Sequence, residues 1–171
     1  MENQANSKSI IINYGLLLGG ASVILSLIIY ATGNSLNQNW ITSVISTLLI
    51  VGFIVAAIKK FKQANGEFLS WGQAVKVGVG VAVVAGLILA IYNYIFMNFI
   101  EPDFMNQVME KQQQLMIDKG LTDEQIETSM QMAKKFQSPA ISAAMSIVSS
   151  AVFGFIISAI AGAILKKTEQ N

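Results

Sequence analysis

The sequence predicts an all-α membrane protein with four transmembrane helices and an extracytoplasmic helical hairpin between the third and fourth. Three observations predict it. Four segments, Ile10–Thr32, Trp40–Ile58, Ala74–Phe99 and Pro139–Leu165, are long and almost free of charge. Hydrophobic residues make up 53% of the 171 residues and charged ones only 12%, about half the charged share of a soluble domain. The one sizeable polar stretch, residues 101–138, falls between the third and fourth segments. A chain of this size cannot hide so much apolar surface in one water-soluble core, because small domains bury only part of their surface.

Each segment has about 18 residues or more, enough to cross a hydrocarbon layer of roughly 30 Å at 1.5 Å per residue. The first begins after MENQANSKS, which carries one Lys and one Glu. It is longer than the apolar core of a signal peptide and has no A-x-A site before Trp40, so it reads as an uncleaved span. The second is the shortest, with Trp40 at one membrane interface and Lys59, Lys60 and Lys62 just past its other end. The third is introduced by Ser70 and Gln73, a capping box, with Trp71 suited to the interface. Lys76 lies just inside it, where a long stem lets the ammonium reach back to the headgroups. Glu101–Pro102 closes it, because helices seldom run through the residue before a proline.

Residues 101–138 hold seven acidic side chains against four lysines. Asp103–Lys119 reads as a helix with Phe104, Val108, Leu115 and Met116 near one face, and Gly120 suits the position after its last turn. Thr122 with Gln125 makes a second capping box, opening a helix through Ile126, Met130, Ala133 and Phe136. The pair reads as a solvated helical hairpin. Ser138–Pro139 then reads as a cap followed by proline in the first helical position of the fourth span.

Lysine placement sets the orientation. The first connection, GNSLNQN, carries no charge, whereas the second opens with three lysines and the fourth span ends in Lys166 and Lys167. The positive-inside rule puts both termini and the Lys-rich connection in the cytoplasm. Lys134 and Lys135, before the fourth span, oppose that assignment for the last helix.

The pattern EPDFMNQVMEKQQQLMIDKGLTDEQIETSMQMAKKFQSP, preceded by GEFLSWGQAVKVG at the third span, resembles an uncharacterised bacterial membrane protein family known as domain of unknown function 4199, typical of Bacteroidetes. The likeness covers nearly the whole chain. It implies the four-span fold and a place in the bacterial inner membrane; it carries no activity, substrate or catalytic residue.

The residues themselves exclude much chemistry. Cysteine and histidine are both absent, so disulfides, thiolate nucleophiles, imidazole bases and ordinary zinc sites are ruled out. All eleven basic residues are lysine, which removes the bidentate clamps that arginine offers to phosphate. A net charge of +1 gives no long-range attraction for nucleic acid. Within the spans the one charged side chain is Lys76, whereas proton-coupled carriers need buried acids or histidines there. Serines lack a partnering base. Met105 and Met109 share a helical face and thioethers bind Cu(I), but methionine more commonly fills apolar contacts. No cofactor or metal is predicted. Asn13 and Asn98 lie near span ends, within reach of water; Asn93 is deeper and is expected to bond to a neighbouring helix.

The best-ordered pattern is on the fourth span, where Ser142, Ser146, Ser150, Gly154, Ser158 and Gly162 recur every four residues. Small residues at that step let helix backbones approach closely. The stripe drifts about 40° per step against 3.6 residues per turn, so one straight neighbour does not use all of it. Gly15 and Gly19 form a GxxxG in the first span, and Gly78–Ala82–Gly86 runs similarly in the third. These surfaces serve either packing within the bundle, the commoner origin of such patterns, or contact with a second copy or another membrane protein. The expected function is therefore non-enzymatic: an inner-membrane interaction or accessory subunit whose partners are the lipid bilayer and another membrane chain. The alternative is a small transporter or channel subunit that functions as an oligomer.

Overall fold

The computed structural model describes residues 7–37, 39–135 and 139–167. Within them lie α1 (Ser7–Ala31), α2 (Trp40–Ala64), α3 (Trp71–Ile95), α4 (Phe104–Asp118), α5 (Asp123–Lys135) and α6 (Pro139–Leu165). A π-helical segment, Phe96–Ile100, extends α3. The expected Ser138 cap of α6, and Phe136 at the end of the α5 stripe, lie outside the described residues.

Local chemistry explains the boundaries. The Ser70 hydroxyl accepts from the Gln73 backbone, while the Gln73 side chain accepts from the Ser70 N–H. Thr122 and Gln125 exchange the same two bonds ahead of α5. Gly120, at φ +74°, ends α4 with the Leu121 N–H reaching back to Met116 O. That left-handed turn is costly for any residue with a Cβ. Asn39 caps α2 through its side chain. Helix α2 runs on past Ile58 through Lys59, Lys60 and Lys62 to Ala64, so the lysines ride on the same helix that spans. Where α3 approaches Pro102, the Glu101 N–H bonds to Phe96 O in a widened turn. Proline has no N–H and collides with the carbonyl four residues back, so the α-helical ladder cannot continue.

Helices α1 and α3 run parallel, with Ile11 against Gly80, Gly15 against Val84 and Gly19 against Ile88. Helix α6 runs antiparallel to α3 along the longest contact in the molecule. The largest fully buried side chains, Ile54, Ile58, Leu69, Val77, Val81 and Ser158, cluster where α2 and α6 end and α3 begins. That end is tied further. Leu69 and Lys167 exchange both backbone hydrogen bonds in an antiparallel bridge. Lys62 Nζ donates to Leu165 O at 2.9 Å, placing a cation on an unsatisfied carbonyl at a helix C-terminus. Trp71 Nε1 donates to Ala159 O at 3.1 Å. The opposite half is looser: Trp40 and Leu48 on α2 are 74% and 66% exposed.

Helices α4 and α5 pack on each other and make no extended contact with the four long helices. Ile126 of α5 is buried. Helix α5 has Asp123 and Glu124 in its first turn and Lys134 and Lys135 in its last. The lysines that complicate the orientation thus have a local reason to be there, since they oppose the helix dipole.

Candidate functional site

The α6 stripe has a matching stripe on α3, and the two mesh in one register. Moving down α6 in steps of four, Gly162 meets Ala74, Ser158 meets Gly78, Gly154 meets Ala82 and Ser150 meets Gly86. A Cβ added to Gly162 would stand 2.8 Å from the Ala74 Cβ, and one on Gly86 would stand 2.7 Å from Ser150 Oγ. Added to Gly78 or Gly154, it would overlap the Ser158 or Ala82 Cβ outright. The backbones are therefore as close as hydrogen-only positions permit, which is how dispersion holds helices together when lipid competes equally for apolar side chains. The buried serine needs no partner on α3: Ser158 Oγ donates to Gly154 O at 2.6 Å, one turn back. Ser150 Oγ does the same to Ser146 O at 2.8 Å. On the other side of α3, Gly15 and Gly19 of α1 are filled by Val84 and Ile88.

Beyond Gly86 the seam opens. Ser142 and Ser146 line a cavity of about 210 Å³ with Ala90, Asn93, Tyr94, Met97 and Met105. Asn93 is exposed there, and among the described residues it makes no hydrogen bond to a neighbouring helix, so that expectation is corrected. The seam is open at this level, so the amide faces a cavity instead of a packed helix. Asn98 Nδ2 donates to Tyr94 O at 2.7 Å, and Asn13 Nδ2 to Ser9 Oγ at 3.4 Å. Both amides find acceptors on their own helices.

The junction of α3 with α4 is a second polar cluster, one that sequence reasoning missed. The Tyr30 hydroxyl donates to Glu101 Oε2 at 2.8 Å, and Gln107 Nε2 donates to Glu101 Oε1 at 3.1 Å. The carboxylate thus links the end of α1 to the start of α4. Around it Phe96, 5% exposed, stands edge-on to Tyr30 and to Phe104, with ring centroids 5.0 and 5.3 Å apart. Such edge-to-face pairs suit the aromatic quadrupole. The signal available in the sequence was Glu101 itself, an acid placed directly between an apolar span and a proline.

A third contact fixes α4 to the α1–α2 connection. Lys111 Nζ donates to Leu36 O at 2.5 Å and to Asn37 Oδ1 at 2.6 Å. The uncharged first connection and the polar helices therefore lie at the same end of the bundle, opposite the Lys62–Leu165 tie.

Four helices long and apolar enough to cross a membrane, three of them meshed through small-residue faces, define a multi-pass membrane protein. Among the described residues no group of acidic side chains is placed to hold a metal ion. The chain belongs to the family described as "Protein of unknown function (DUF4199)", whose model matches residues 13–167. No curated protein and no solved structure matches it.

Proposed function

We propose that this is a non-enzymatic protein of the bacterial inner membrane, an interaction or accessory subunit with both termini cytoplasmic. In this reading α4 and α5 form an extracytoplasmic hairpin that is the contact surface for another membrane chain. The observation that carries it is the separation of α4 and α5 from the long helices. A polar pair that contributes nothing extended to bundle packing, yet is anchored through Lys111 and Glu101, is presented rather than buried. The span interiors carry no Asp, Glu or His, the side chains that most often move protons for a substrate. Orientation rests on the lysines at the α2–α3 and α6 end.

Two experiments test it. Single cysteines at Lys60 and Lys119, both exposed, should divide under a membrane-impermeant maleimide on intact cells. Lys119→Cys is expected to label and Lys60→Cys to label only after lysis; the reverse pattern inverts the topology. Affinity capture from native membranes should yield a defined partner chain. That chain should be lost when residues 104–135 are replaced by a flexible linker, with membrane insertion retained. An unchanged capture profile, or a catalytic activity that purifies with this chain alone, overturns the reading.

The cavity at the open end of the α3–α6 seam favours the other reading, a small transporter or channel subunit that builds its pathway as an oligomer. Against a path through one copy, the seam below that cavity is filled from Ser150 to Gly162.

A further inference from the structure

A cavity of about 430 Å³ lies between α4 and the α1–α2 connection, lined by Ser35, Leu36, Asn37, Val108, Lys111 and Leu115, among others. Two of its polar groups are incompletely matched. Lys111 is half-buried, and its ammonium has three donors, two of them spent on the neutral oxygens of Leu36 and Asn37. Among the described residues no carboxylate pairs with it. Its charge is thus held in place beside the cavity by two neutral acceptors, with no carboxylate to compete for an incoming anion. Ser35 lines the same cavity, and its hydroxyl, shielded from solvent in this rotamer, has no hydrogen-bond partner to lose by turning toward a ligand.

Position selects the anion. Residues 32–39 join two helices that are long and apolar enough to cross a membrane, so this connection sits at the level of lipid headgroups whichever way the protein is inserted. Val108, Leu36 and Leu115 give the cavity an apolar share, suited to the glycerol and upper acyl carbons of a lipid. We propose that the cavity between α4 and the α1–α2 connection binds the phosphate of an anionic phospholipid, with Lys111 as counter-ion and Ser35 as a hydrogen-bond donor. An oxyanion accepts both, and charge-assisted bonds are the stronger kind. A bound headgroup would also brace the contact that holds α4 to the bundle.

The full chain, purified and delipidated in neutral detergent, is titrated with dioleoyl phosphatidylglycerol, with dioleoyl phosphatidylcholine and with inorganic phosphate. Retained lipid is read by native mass spectrometry and stabilisation by thermal unfolding. Phosphatidylglycerol is expected to bind more tightly than phosphatidylcholine. Lys111→Gln should weaken it about tenfold, the scale of one charge-assisted interaction, while Lys134→Gln, on an exposed side chain, leaves it unchanged. Ser35→Ala should weaken binding about threefold and leave the lipid-free protein no less stable, since deleting an unpaired buried hydroxyl costs little. Equal binding by Lys111→Gln and wild type overturns the proposal. Inorganic phosphate that stabilises as well as the lipid does at equal concentration assigns the site to free phosphate and overturns the lipid assignment. If Lys111→Gln does not fold, Ser35→Ala decides, and unchanged lipid binding there refutes the site.

Discussion

Gly78→Leu is expected to destabilise the bundle by at least about 3 kcal/mol, at or above the upper end of the usual range for overpacking a filled core. Even a single Cβ at this position overlaps the Ser158 Cβ and comes within 3.1 Å of Ile54 Cγ2. Neither neighbour can yield. Ile54 and Ser158 are both fully buried, and the Ser158 hydroxyl is held by Gly154 O. The added side chain must therefore push α3 and α6 apart along the whole register. Equilibrium unfolding in mixed micelles measures the effect. Gly52→Ala provides the control, because a Cβ there meets nothing within 4 Å. It should be neutral or stabilise by up to about 1 kcal/mol through helix propensity. Ser158→Gly should partly rescue Gly78→Ala, since it removes the atom that the new methyl strikes. Equal stabilities for Gly78→Leu and Gly52→Ala would show that the seam does not close as described.

Ile54→Ala should cost about 2–4 kcal/mol in the same assay, the range for emptying a buried aliphatic site. Leu48→Ala, earlier on the same helix and 66% exposed, should stay within about 0.5 kcal/mol. The contrast tests more than burial. In a bilayer an exposed leucine already has lipid for a neighbour, so truncating it forfeits little. A buried isoleucine instead leaves a void that partner atoms on α3 and α6 cannot fill. Similar losses at both positions would mean that the loose half of α2 is packed against something in the membrane.

Much of the local structure was legible because its causes are local. Ser70 with Gln73, Thr122 with Gln125, Gly120 and Glu101–Pro102 act through atoms within a few residues of one another, and each sits where the sequence reading places it. The widened turn at Phe96–Ile100 was not legible. Proline explains why the α-ladder must stop, but how the last turn relaxes depends on Phe96 being clamped by Tyr30 and Phe104. The links from Glu101 to Tyr30, Lys62 to Leu165 and Lys111 to Leu36 were equally hidden. Each joins residues more than seventy positions apart, and polar side chains near membrane ends look alike in sequence whether they meet water or protein. Asn93 shows the same limit, because its depth along the span says nothing about which neighbour it faces.

By itself, then, the sequence determined four apolar helices, their caps and the polar pair between the last two, because length, hydropathy and capping are properties of each segment alone. It also marked the small-residue stripes on α1, α3 and α6 without saying what they meet. Lipid is as apolar as a neighbouring helix, so an apolar face carries no label for its partner. Only the tertiary structure decided that Gly162, Ser158, Gly154 and Ser150 descend α6 in step with Ala74, Gly78, Ala82 and Gly86 on α3, and that Ser146 and Ser142 open onto a cavity instead. The reason is steric: the match depends on where both backbones place every Cβ at once, and no single helix contains that information.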